Sequence, residues 1–182
     1  MNLPTTLTVI RIFLIPILMV FLIATPRPYP IVALAIFLLA VLTDWLDGHL
    51  ARRKQQVTTL GTLLDPIADK LLIAAALVSL VEVDKIPAWI VVLIVGRDIA
   101  VTGLRGIAAA QGVIIAASDW GKYKMAAEVV AVSLLILSLR GGPLADWPVR
   151  VGIVVLWGAM AIAVFSGVDY FRKFWRRLDL HG

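Results

Sequence analysis

Ile31-Val-Ala-Leu-Ala-Ile-Phe-Leu-Leu-Ala-Val-Leu-Thr-Asp-Trp-Leu-Asp-Gly-His-Leu-Ala-Arg52 begins as an apolar run and ends in charge. Residues 31–42 carry no polar side chain, and Asp44, Asp47 and Arg52 follow directly. About 20 mostly apolar residues make a helix that crosses a bilayer, and this stretch has that length. An aspartate deep in such a helix costs about 2.5–3.5 kcal/mol even on lenient insertion scales. The next apolar segment repeats the anomaly in Leu60-Gly-Thr-Leu-Leu-Asp65-Pro-Ile-Ala-Asp69-Lys70. Asp44 and Asp47 are three apart and Asp65 and Asp69 four apart, so each pair lies on one face of its helix. The short connector from Arg52 to Thr59 makes the two helices antiparallel neighbours, with both pairs near the same end. Gly48 and Ala51 continue the first stripe and Gly61 begins the second, small residues that let a ligand or another backbone approach closely.

Working outward, the rest of the chain is equally apolar. Of 182 residues, 61% are hydrophobic, and the mean hydropathy is +0.96. Soluble domains sit closer to half apolar, so the solvent is read as lipid. Six segments have spanning length: Leu7–Thr25, Ile31–Arg52, Leu60–Val83, Pro87–Ala110, Trp120–Leu139 and Val149–Trp175. Turn chemistry separates them at Thr25–Pro30, Glu82–Pro87 and Arg140–Pro143. The expected fold is an all-α integral membrane protein of six transmembrane helices, one domain over residues 1–182. The start, Met1 to Phe13, lacks the basic stretch and cleavage site of a secretory signal, so its apolar segment is expected to stay as an anchor. Residues 2–6 leave room for an interfacial segment before the first span.

Of the 17 Lys and Arg residues, only Arg27, Lys85, Arg140 and Arg150 fall outside if the N-terminus is cytoplasmic. The positive-inside rule then puts both termini in the cytoplasm. Trp147 and Trp175, near span ends, fit interfacial anchoring. The net charge of +5 reads as loop retention and attraction to anionic lipid, most clearly in Arg172, Lys173, Arg176 and Arg177; no nucleic-acid partner is expected.

The chain has no cysteine, and its two histidines are His49 and His181. Any metal must therefore be held by oxygen, which points to hard cations such as magnesium or manganese. Four converging carboxylates repel unless a cation or protons join them. A metal–phosphate site at the cytoplasmic face satisfies all four, with Arg52 placed to meet phosphate. A proton or cation pathway and an ion-pair core involving Arg52 and Lys70 are the rival readings.

The pattern Asp44-x-x-Asp47-Gly48-x-x-Ala51-Arg52, eight residues, Gly61-x-x-x-Asp65-x-x-x-Asp69 resembles the signature of the CDP-alcohol phosphotransferases. The resemblance implies a two-metal centre, Mg2+ or Mn2+, on Asp44, Asp47, Asp65 and Asp69, with Asp69 also the general base. It implies contacts of Gly48, Arg52 and Thr58, together with Ala51 and Gly61, to the CDP-lipid, and assigns Thr6 and Thr8 to the same moiety. It places the enzyme in the membrane with its site facing the cytoplasm, acting on CDP-diacylglycerol.

The signature does not name the acceptor alcohol. Arg97, Arg105, Lys122 and Lys124 gather toward the cytoplasmic ends of the fourth and fifth spans and together favour an acceptor that carries phosphate. Arg97 has an internal partner at hand in Asp98, and the lysines also suit snorkelling. Asn2 to Arg11, Gly96-Arg-Asp98 and Gly121-Lys-x-Lys124 resemble the bacterial phosphatidylglycerophosphate synthase branch of the family. That branch implies sn-glycerol 3-phosphate as acceptor and a bacterial inner membrane as location. Met125 stands where the branch often has threonine. Inositol phosphate is the runner-up acceptor. A small ion transporter is the reading outside the class, disfavoured by carboxylates gathered at one face and by the lack of a repeat. Gly- and Ala-rich faces permit a homodimer.

Overall fold

The computed structural model describes the backbone of residues 3–23, 29–54, 59–111, 119–141 and 145–178, and the side chains of residues 6–23, 29–43, 66–111, 120–141 and 145–175. Among the described residues there are six α-helices and no strand. They are α1 (Leu3–Ile23), α2 (Pro30–Lys54), α3 (Thr59–Glu82), α4 (Ala88–Ala110), α5 (Asp119–Ser138) and α6 (Asp146–Leu178). Each overlays one of the six apolar segments read from sequence. The helix of α1 already runs from Leu3, so residues 3–6 continue directly into it. By length and composition, two described stretches are apolar enough to cross a membrane, Thr6–Ile23 and Asp146–Trp175, and Pro30–Thr43 is a shorter apolar helix.

Each helix shows a buried stripe at three- and four-residue spacing. On α1 it runs Thr8, Arg11, Ile15, Leu18, Leu22. On α5 it runs Lys124, Glu128, Ala131, Leu135, Ser138, and on α6 Leu156, Ala159, Ala163, Ser166, Tyr170, Phe174. Helix α1 packs on α2 and α3, α2 on α5, α3 on α4 and α5, and α6 on both α4 and α5. The main apolar core draws on all six helices, and a smaller cluster of Ala108, Tyr170 and Phe174 closes the far end of α4 on α6.

Small residues are interspersed among the large ones at the contacts, and large apolar side chains also cover the exterior. Ala33, Ala40, Ala68, Ala76, Ala131, Ala159 and Ala163 are all buried. Gly152 lets α6 lie against α5, because a Cβ there would stand 3.0 Å from Leu135 Cγ. Outside, Val154 is 70% exposed and Phe165 77%. Helices that associate in lipid gain nothing by hiding large apolar groups and gain by close backbone approach. Hydroxyls in the helices turn back to their own carbonyls, as Ser79 does to Ala75 at 2.8 Å and Ser133 to Val129 at 2.7 Å. That is how a helix interior satisfies a hydroxyl without water.

The α3–α4 connection is tight. Asp84 takes φ 55, and Lys85 N donates to Leu80 O at 2.9 Å, closing the end of α3. This turn fixes α3 and α4 as antiparallel neighbours, and α5 completes the triangle that holds the site.

Candidate active site

A cavity of ≈ 300 Å3 lies between α3, α4 and α5. Helix α3 contributes Asp69, Lys70 and Ile73; α4 contributes Arg97, Asp98 and Arg105; α5 contributes Gly121, Lys122, Lys124, Met125 and Glu128. The lining holds five basic and three acidic side chains, a surplus of two positive charges. One cavity thus brings together the last aspartate of the signature and all four cations assigned from sequence to an acceptor phosphate.

Asp69 is held from outside the cavity. Arg11 of α1, 1% exposed, donates from Nη1 to Asp69 Oδ1 at 2.9 Å, while the Asp69 side chain is 30% exposed. Thr8 lies one turn before Arg11 on the same buried face of α1. Thr6 and Thr8 therefore belong to the helix that backs Asp69.

Deeper charges neutralise one another. Asp98 accepts from Arg97 Nη1 at 3.0 Å through Oδ1 and from Lys124 Nζ at 2.5 Å through Oδ2. Arg97 Nη2 also donates to Ser166 Oγ of α6 at 2.8 Å. Lys124 Nζ stands 2.8 Å from Glu128 Oε1, one turn along α5. That pair is close but not aligned for a hydrogen bond, since Glu128 Oε1 has no hydrogen-bond partner. The stem of Arg97 crosses α6 at Gly167, where a Cβ would meet Arg97 Cγ at 3.0 Å. The internal pairing of Arg97 with Asp98, weighed against phosphate binding in the sequence, is therefore present.

Arg105 differs. It is exposed, lines the same cavity, and forms no ion pair with a described residue. Lys122 is exposed on the adjoining turn of α5.

The remaining signature positions are carried on helical backbone: Asp44, Asp47, Gly48, Ala51 and Arg52 at the end of α2, Gly61 and Asp65 at the start of α3. Their side chains, and Thr58 altogether, lie outside the described residues. The donor chemistry on these two neighbouring helices, carboxylates in a chain with no thiolate, suits a hard divalent cation.

Four participants were not singled out from the sequence. Arg11 is an isolated charge in an apolar helix, which signals a buried partner without naming it. Glu128 is four residues after Lys124, a spacing that signals an ion pair. Ser166 and Gly167 carry no sequence signal of their own, since their role depends on how α6 crosses α4.

Comparison with known proteins agrees with the geometry. The family model for CDP-alcohol phosphatidyltransferases matches residues 1–165. The chain is 42% identical to the CDP-diacylglycerol–glycerol-3-phosphate 3-phosphatidyltransferase of Bacillus subtilis, over 97% of each. It is 38% identical to the Rickettsia bellii protein of that name, over 94% of each. It is also 36% identical to a CMP-forming cardiolipin synthase of Oryza sativa, over 98% of this chain and 59% of the rice protein. With the family model spanning most of its length and relatives of this identity covering nearly all of it, the chain belongs to the CDP-alcohol phosphatidyltransferase family.

Proposed function

We propose that this protein transfers the phosphatidyl group of CDP-diacylglycerol to sn-glycerol 3-phosphate, releasing phosphatidylglycerol phosphate and CMP. The observation that carries this reading is the shared cavity, in which Asp69 faces Arg105 and Lys122. A carboxylate in a cavity whose lining carries a surplus of two positive charges suits an alcohol that bears its own phosphate. The bacterial relatives at 36–42% identity are named for this reaction. The rice relative is named for a different product, so the acceptor choice rests on the cavity rather than on likeness.

The step is a substitution at phosphorus. Asp69 takes the proton of the acceptor hydroxyl. The acceptor oxygen bonds to the phosphorus that bears diacylglycerol, and the bond from that phosphorus to the bridging diphosphate oxygen breaks, its electron pair leaving with CMP. Arg11 holds one oxygen of Asp69 and fixes the carboxylate's orientation. Asp44, Asp47, Asp65 and Asp69 are the proposed holders of two divalent cations, Mg2+ or Mn2+. Such ions, when bound, neutralise the diphosphate and stabilise the departing CMP. Gly48, Ala51, Arg52, Thr58 and Gly61, with Thr6 and Thr8, are assigned to the CDP-lipid. Arg105 and Lys122 take the acceptor phosphate. Arg97 and Lys124 stand behind them, already paired to Asp98 and Glu128.

We read the six helices as six spans with both termini in the cytoplasm of a bacterial inner membrane. Buried alanines, large exposed apolar side chains and the charge bias of the connectors support this. Lipid tails then stay in the bilayer while the head group reacts at its face. A homodimer through Gly- and Ala-rich faces remains part of the proposal.

The test is CMP release by purified protein in detergent with CDP-diacylglycerol and magnesium. Glycerol 3-phosphate, inositol phosphate and serine are offered separately, with Asp69→Asn as control. Release with glycerol 3-phosphate alone, lost in Asp69→Asn and with chelator, is expected. Release with serine alone overturns the roles of Arg105 and Lys122, release with inositol phosphate alone overturns the choice of glycerol 3-phosphate, and release with none overturns the reaction.

A further inference from the structure

Of the two cavity acids to which the proposed reaction gives no task, Asp98 already uses both oxygens, which leaves Glu128. It is 2% exposed and lines the cavity. Its Oε1 is engaged by the Lys124 ammonium at 2.8 Å, while its other oxygen, Oε2, takes no hydrogen bond from a described residue. Buried carboxylates with empty acceptor positions are costly and uncommon. The second oxygen of Glu128 is therefore open to a donor within the cavity.

Depth along the helices indicates what that donor is. At a rise of ~1.5 Å per residue, Glu128 lies roughly 14 Å into α5 from Asp119, and Asp98 roughly 18 Å into α4 from Ala110. Lys122 lies only roughly 5 Å into α5 and Arg105 roughly 8 Å into α4, counted from the same ends. The cavity thus has a cationic mouth and a floor where Asp98 and Glu128 are matched by Arg97 and Lys124. At the floor, Asp98 already uses both oxygens, which leaves Glu128 as the open acceptor. An acceptor whose phosphate sits at the mouth presents its hydroxyl end to the floor.

We propose that Glu128 is a specificity residue whose carboxylate accepts a hydrogen bond from the non-reacting hydroxyl of the acceptor, so that the cavity selects polyol phosphates over phosphates with a single hydroxyl. This rests on the glycerol-phosphate reading above. A site built to bond a hydroxyl rejects the analogue lacking it, because its own polar group is then left unpaired.

The test compares sn-glycerol 3-phosphate with 3-hydroxypropyl phosphate, which keeps the nucleophile and the phosphate but lacks the second hydroxyl. CMP release is followed for the wild type, Glu128→Leu, Glu128→Gln and Lys124→Met in detergent with CDP-diacylglycerol and magnesium. The wild type is expected to favour glycerol 3-phosphate in kcat/KM by about 10- to 100-fold, the worth of one charge-assisted hydrogen bond. Glu128→Leu brings the ratio near one, whereas Lys124→Met slows both substrates and keeps the ratio. If Glu128→Leu does not fold, Glu128→Gln decides: its neutral amide is expected to cut the preference several-fold. An unchanged preference in the folded variant, or none in the wild type, overturns the inference and leaves Glu128 a structural partner of Lys124. Absence of CMP from the wild type with glycerol 3-phosphate overturns the reaction itself, and is seen before any variant is compared.

Discussion

Arg11 of α1 donates to the carboxylate of Asp69 on α3 at 2.9 Å, across 58 residues of sequence, with the guanidinium almost wholly buried. A buried charge left without its partner is strongly destabilising, about 3–5 kcal/mol when both groups are inaccessible. Asp69 is partly open to the cavity, so a smaller loss applies here. Arg11→Met is expected to lower the melting temperature in detergent and to cut CMP release by at least tenfold. Arg11→Lys, which keeps the charge but not the fork, is expected to recover stability more than activity. Equal recovery of both would assign Arg11 a structural role alone.

Arg105 and Arg97 line one cavity but differ in their commitments. Arg105→Gln removes an exposed cation with no ion pair to a described residue, so melting should hardly change. The KM for glycerol 3-phosphate should rise about 10- to 100-fold, as for loss of a charged hydrogen bond. Arg97→Gln removes bonds to both Asp98 and Ser166, and should lower the melting temperature as well. Steady-state kinetics beside thermal denaturation separate the two.

Two glycines of α6 provide a matched pair. A Cβ at Gly152 meets Leu135 Cγ at 3.0 Å, and one at Gly167 meets Arg97 Cγ at 3.0 Å. Gly152→Val overpacks an apolar contact, which costs about 1–3 kcal/mol, and should leave kcat/KM of the folded fraction intact. Gly167→Val pushes on the stem of a side chain held at its far end by Asp98 and Ser166. It should depress kcat/KM beyond what lost stability explains, as measured on protein recovered by size exclusion.

Chelation should abolish CMP release, and either Mg2+ or Mn2+ should restore it. Asp69→Asn should remain inactive by at least about 100-fold with either ion, the usual scale of a lost general base. Full restoration of Asp69→Asn by excess metal would show that this carboxylate binds metal but takes no proton.

Helix number and extent were legible because apolar runs of spanning length, broken by Pro, Gly and charge, leave one reading for the backbone. The six helices start and stop within a few residues of the runs. The joining of Asp69 to Arg97, Arg105, Lys122 and Lys124 in one cavity was legible for a related reason: charge is too costly in an apolar helix to lie anywhere but at a shared site. Which charge meets which was harder to read. Helices α2 and α5 are apolar around most of their circumference, so their sequences do not announce which side faces a neighbour. On α1, Arg11 signalled a buried partner but not that it is Asp69, and nothing in α6 announced that Ser166 and Gly167 receive Arg97. For Arg97 the adjacent Asp98 was visible; that the same carboxylate also binds Lys124 depends on the placement of α5.

The balanced quartet at the cavity floor has a consequence for how the chain is made. Arg97 and Asp98 sit side by side on α4, and Lys124 and Glu128 one turn apart on α5. Each helix therefore brings its own counter-charge, and its ionic groups are already paired before α4 and α5 meet. Only the bond from Lys124 to Asp98 must wait for the two helices to meet. Assembly can then proceed one helix at a time, with that single charged contact joining α4 to α5 last.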